Sequence, residues 1–133
     1  MCLLKFISER LHYHEKIVVM NGIRLKALVA DTPMKRMIGL MYRKTLGRDR
    51  CMLFVFGSEG RYGIWMRNMR FGIDVIWLDK QKRIVHVERA LAPARGFDFR
   101  TYYPDTASSY VIELASGFTD RNDIRKGMRV VFS

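Results

Sequence analysis

The segment Trp65–Met66–Arg67–Asn68, with Asp74 six residues on, gathers the side chains best suited to hold a ligand. In an extended chain Trp65, Arg67 and Met69 share one side, and Met66 and Asn68 the other. Trp beside Arg offers a flat apolar plate and a cation, useful for stacking a base or ring. Asn68 supplies both a donor and an acceptor and suits a turn. Asp74 enters the apolar run Ile73–Leu78, where an unpaired charge would be costly. Two readings follow. Asn68 and Asp74 can be the polar groups of a ligand pocket walled by Trp65. They can equally satisfy backbone N–H groups at a turn while Trp65 fills the core.

Arg36, Arg43, Asp74 and Glu113 form a second set. Arginines on a helix could pair with acids emerging from strands, which would tie helix to sheet or bind an anionic ligand. Asp74 or Glu113 could also serve as the acid or base of an enzyme. A third set lies in residues 92–109, where Arg95, Phe97, Phe99, Arg100, Tyr102 and Tyr103 interleave cations with aromatics. That is the composition of platforms for single-stranded nucleic acid. The same loop could instead fold its aromatics down as a lid on the body.

Two further groupings fit structural roles better. Met34, Met37, Met41, Met52, Met66 and Met69 could offer thioethers to a soft ion, but helical spacing and apolar strands explain them as packing. His12 and His14, even with His86, lack the cysteine or carboxylate spacing of a zinc site. The chain has no phosphate-binding loop, nucleophile elbow, zinc-protease helix or dinucleotide fingerprint. No residue is therefore assigned a catalytic role, and neither a metal nor a cofactor is expected.

These groups need elements to position them. Lys16–Met20 and the alternating run from Ile23 read as a hairpin through Asn21–Gly22, a dipeptide that tolerates positive φ at both positions. Thr32 as cap and Pro33 at the first helical position open a helix. Met34, Met37, Ile38 and Met41 share one face of it, which carries the helix over about 33–45. Strands are expected at Cys51–Phe56, Tyr62–Met66, Ile73–Leu78, Ile84–Ala90, Tyr110–Ala115 and Met128–Phe132, with a short helical turn at Thr119–Ile124. The sum is an α+β, mostly β chain: an antiparallel sheet curled into a barrel-like or sandwich-like body with one main helix. Residues 1–15 read as a loosely ordered lead-in and 16–133 as a single β-rich domain.

The formal charge of +11 on 133 residues predicts attraction to an anionic ligand or nucleic acid, with the oligomeric state left open. Cys2 and Cys51 make no disulfide framework, and no apolar run approaches a membrane span. A cytoplasmic location is the expectation.

Several pieces together resemble the family known as domain of unknown function 192, or uncharacterised protein family 0127. They are Arg36–x–x–Gly39–Leu40–Met41–x–Arg43, Met52–Leu53–Phe54–x–Phe56, Trp65–Met66–x–Asn68 with Asp74, Tyr110–Val111–Ile112–Glu113 with Gly117, and Gly127 before the last strand. The resemblance covers about residues 22–132. Met69 stands where the family usually has Thr, Gly72 where it has Pro, and Cys51 where it often has Gly. The resemblance implies a compact β-rich fold with a helix. It brings no activity with it, so the expected function is a ligand- or partner-binding module.

Overall fold

The computed structural model describes residues 3–133; Cys2 lies outside the described residues. A short helix α1 (Leu3–Ser8) precedes the hairpin of β1 (Glu15–Met20) and β2 (Ile23–Ala30), which turns at Asn21–Gly22 as expected. Both turn residues have positive φ. Helix α2 spans Pro33–Ile38, with Thr32 accepting the Lys35 N–H at 3.2 Å as its cap. The helix stops well short of residue 45. Gly39 takes φ +51 and ψ −126, a conformation an L side chain rarely adopts, and its N–H closes on Lys35 O. Leu40 and Met41 are buried all the same, from a loop rather than from a helix face. Met34 and Met37 stay exposed, so the expected methionine stripe is only partly core.

The remaining elements are β3 (Arg50–Gly60), β4 (Ile64–Trp65), β5 (Ile73–Leu78), β6 (Ile84–Leu91), β7 (Thr101–Tyr102), β8 (Ser108–Ala115), α3 (Phe118–Arg121) and β9 (Val130–Val131). Seven strands form one sheet in the order β6-β5-β8-β3-β2-β1-β9, and β4 and β7 form a separate antiparallel ribbon. The large sheet is mixed, not wholly antiparallel: β2 and β3 run parallel. The chain between them, α2 and the loop to Arg50, is long enough to return it in the same direction. Residues 92–109 are not one loop either, because β7 crosses them and β8 begins at Ser108.

The sheet curls until its outer strands meet. Gly127 donates to Ile84 O and Ile84 to Met128 O, both at 2.8 Å, and Val130 donates to Lys82 O at 2.9 Å. This gives a half-barrel with two cores. Val18, Leu25, Leu53, Ile76, Ile112 and Phe118 fill its inside. Leu40, Met52, Phe54, Trp77 and Val111 pack on the other face beneath the Gly39–Met41 loop, with Ile64 and Met66 from the ribbon segment. All six residues of β5 are buried, because both of its faces are covered. The alternation along β8 sends Ile112 and Leu114 to the first core and Val111 to the second. Glu113 therefore points into the second core, between its cross-strand neighbours Met52 and Val75.

Candidate functional site

On that second face lies a cavity of about 240 Å³. Its walls come from α2 and the following loop (Met37, Gly39, Leu40), from β3 (Phe54) and from the ribbon (Gly63, Trp65, Thr101). Met69 adds a thioether to the wall. Of the candidate binding residues named from the sequence, Trp65, Arg36 and Glu113 come together here, with Met37, Met41 and Met69 of the methionine set.

Glu113 dominates the cavity's chemistry. Its side chain is only 4% exposed, and its Oε1 has no hydrogen-bond partner. Burial without a counter-charge pushes its carboxyl up to about 8. At neutral pH it is chiefly the uncharged acid, a donor waiting for an acceptor. Arg36 lines the same cavity and gives one N–H to Val55 O at 3.0 Å, with its guanidinium 5.2 Å from the Phe56 ring centre. None of the ion pairs among the described residues involves Arg36. Trp65, 38% exposed, and Met37 stand where the cavity meets solvent.

Gly39 is what lets the loop close over the acid. A Cβ there would sit 3.2 Å from the Phe54 ring and 3.5 Å from Glu113 Oε1, on a backbone already at positive φ. Gly39→Ala is expected to cost about 1–3 kcal/mol, read as a lowered denaturation midpoint. An unchanged midpoint would show that the loop can shift away from the acid.

Asp74 and Asn68 lie elsewhere. Asp74 projects from the opposite face of β5, fully buried. It accepts from the N–H groups of Ala90 (2.9 Å), Gly117 (3.2 Å) and Thr119 (2.9 Å), and from Thr119 Oγ1 (2.7 Å). Burial would raise its carboxyl, but these four bonds outweigh that and hold it below the ordinary value. It serves as the cap that Gly117 cannot give α3. Asn68 sits in the left-handed region at φ +58; its carbonyl accepts from Tyr42 N–H and its Nδ2 meets Met41 Sδ at 3.6 Å. Arg43 lies 5.6 Å from the Tyr13 ring centre, beside a second surface recess. Burial raises the Tyr13 hydroxyl, and Arg43 partly offsets that.

The aromatic segment divides as well. Tyr102 packs on the second core, and Thr101 lines the cavity. Phe97, Phe99 and Tyr103 remain exposed, as do Arg95 and Arg100, with Arg100 reaching Tyr102 Oη at 3.5 Å. Gly63 and Thr101 were not singled out from sequence. The signal for them was a small residue two positions before an aromatic one in each of two paired segments, Gly63 before Trp65 and Thr101 before Tyr103. No group of three or more metal-ligating side chains occurs among the described residues, and no helix of theirs is long and apolar enough to cross a membrane.

Residues 16–132 match the sequence model of domain of unknown function 192, described as "Uncharacterized ACR". The chain belongs to this family. Curated members include the UPF0127 protein of Thermococcus kodakarensis, 35% identical over 77% of this chain and 61% of its own length. That of Pyrococcus furiosus is 31% identical over 81% of this chain and 87% of its own. The chain spans 61% of the length of the two Thermococcus relatives it matches at 35% identity. Two solved structures share the fold. A Sinorhizobium meliloti chain described as a candidate transcription regulator has a TM-score of 0.85 at 24% identity, covering 92% of this chain and 97% of that one. A Novosphingobium aromaticivorans protein described as of unknown function has a TM-score of 0.76 at 24% identity, covering 88% and 82%. At this identity the likeness shows the fold alone.

Proposed function

We propose that the protein is a binding module for a small, largely apolar ligand that carries a hydrogen-bond acceptor. One observation supports this above the others: the buried, unpartnered Oε1 of Glu113 in the wall of an open cavity. A buried polar atom without a partner costs free energy, so a ligand acceptor that takes the Glu113 proton recovers what folding gave up. Met37, Leu40, Phe54 and Trp65 supply apolar contact around it, the usual make-up of such pockets. The volume suits a single ring or a short chain. In the same proposal the protein acts in the cytoplasm, where Cys51 stays a buried free thiol.

Acetophenone, which carries an acceptor, and toluene, which does not, test the pocket. Acetophenone is expected to quench Trp65 and shift the amide signals of Gly39 and Glu113 in nuclear magnetic resonance spectra. Toluene should bind about tenfold more weakly. Affinity for acetophenone should fall as pH rises past about 8, where Glu113 loses its proton. If neither compound perturbs those signals at millimolar concentration, the proposal is overturned.

The same raised carboxyl supports a second reading, in which Glu113 acts as a general acid. Turnover would then show a rate that breaks near pH 8 and vanishes in Glu113→Gln.

A further inference from the structure

Beside the cavity mouth, the β4–β7 ribbon presents a face of different character. Four of the five exposed large aromatic side chains among the described residues belong to this ribbon and its flanks: Trp65, Phe97 (92% exposed), Phe99 (56%) and Tyr103 (54%). The strand alternation accounts for the clustering. Trp65 pairs with Thr101 and Ile64 with Tyr102, so Gly63, Trp65 and Arg67 share the outward side with Phe99, Thr101 and Tyr103. Ile64, Met66 and Tyr102 face the second core.

Contacts confirm that outward face. A Cβ on Gly63 would collide with Thr101 Cγ2 and lie 2.8 Å from the Tyr103 ring. Gly63 thus lets Tyr103 settle against β4. At the far end the Arg67 guanidinium stacks 4.0 Å from the Phe99 ring centre. Phe99, Thr101 and Tyr103 recur every second residue, roughly 6.6 Å apart along the strand. Arg67 borders this strip and Arg95 is exposed in the segment leading to it, whereas Arg100 alternates to the Tyr102 side and reaches Tyr102 Oη; Asp98 is the only acid within 92–103.

We propose that this face binds single-stranded nucleic acid, with bases stacked on Trp65, Phe99 and Tyr103 and phosphates met by Arg67 and, from the flanking segment, Arg95. Each of these rings keeps a large part of its apolar surface in water, where hydration is unfavourable. Every base offers a π-face to such rings, whatever its identity. The arginines and the net charge of +11 select a polyanion over a neutral chain. The face shares Trp65 with the cavity mouth but not Glu113, and Phe99 and Tyr103 lie outside the cavity, so variants at those two positions test the face separately from the pocket.

The test uses the whole chain and a fluorescein-labelled oligouridylate of about ten nucleotides, followed by anisotropy at low salt. Binding is expected, weakening steeply as salt rises. Phe99→Ala and Tyr103→Ala should each weaken it about tenfold, with the far-ultraviolet circular dichroism of each variant unchanged from that of the native protein. Arg67→Gln should lower the slope of log affinity against log salt by about 0.7. Paired Arg24→Gln and Lys26→Gln changes, on exposed positions of β2 outside the ribbon, should leave the affinity within about twofold. No binding at low salt overturns the proposal. So does equal loss from the β2 pair, or oligoglutamate competing as well as the oligonucleotide, because either would mean generic attraction to polyanions.

Discussion

Replacing Glu113 with Gln is expected to flatten the dependence of stability on pH above about pH 4.5. The folded carboxyl sits at about 8 and the ordinary value is 4.5. Between those limits the unfolded chain gives up a proton that the folded chain keeps. Its contribution is therefore fully present below about 4.5 and lost as pH rises towards 8, at about 1.4 kcal/mol for each pH unit. No acid or base pairs with the group; of the residues lining its cavity, Arg36 is the other charged one. Urea denaturation at about pH 5, 7 and 9 reads the effect. The native protein should lose stability across the series. Glu113→Gln should hold nearly level and become the more stable of the two at about pH 9, by roughly 2–4 kcal/mol. Parallel slopes for the two proteins would mean that Glu113 is already ionised in the fold.

Removing the other buried acid is expected to act in the opposite sense. Asp74→Ala leaves three backbone N–H groups and the Thr119 hydroxyl without their acceptor. The expected cost is about 4 kcal/mol, against about 1 kcal/mol for Thr119→Val, which removes one bond only. The pH signature is also reversed. A carboxyl held below its ordinary 3.8 contributes stability that is present above that value and is lost as pH falls through its folded value. Acid denaturation of the native protein should therefore carry a component that Asp74→Ala lacks. A cost below about 1 kcal/mol would show that α3 and the end of β6 are secured by other means.

The two acids show how far the sequence could be read. Asp74 stood out as a charge in an apolar run and Glu113 as an acid emerging from a strand, but their roles differ through contacts that no spacing records. Asp74 meets N–H groups brought from β6 and from the start of α3, more than forty residues on in the second case. Glu113 meets nothing, because Gly39 brings a loop rather than a donor over it. Local signals served well. Asn21–Gly22 turned the hairpin, Thr32–Pro33 opened α2, alternation placed β2 and a continuous apolar run placed β5. Periodicity failed where one residue overrode it, since the apolar spacing ran through Met41 while Gly39 had already ended the helix. The parallel pairing of β2 with β3 is a matter of long-range topology, and neither strand's own pattern differs from that of an antiparallel one. Of the first ligand segment, Trp65 reached the cavity and Asn68 became a turn. Arg67 went to the ribbon's outer face.

The seam where Gly127–Val130 meets Lys82–Ile84 has a consequence for life at high protein concentration. An open sheet of seven strands would offer two rows of unpaired N–H and C=O groups, each a template for another copy of the chain. Here the two rows answer each other along part of their length, and β9, the last strand in the order, is only two residues long. The ribbon of β4 and β7 is equally short. A chain this rich in β-structure can therefore display aromatic rings to solvent without also displaying the strand edges that would turn such a surface into an aggregation seed.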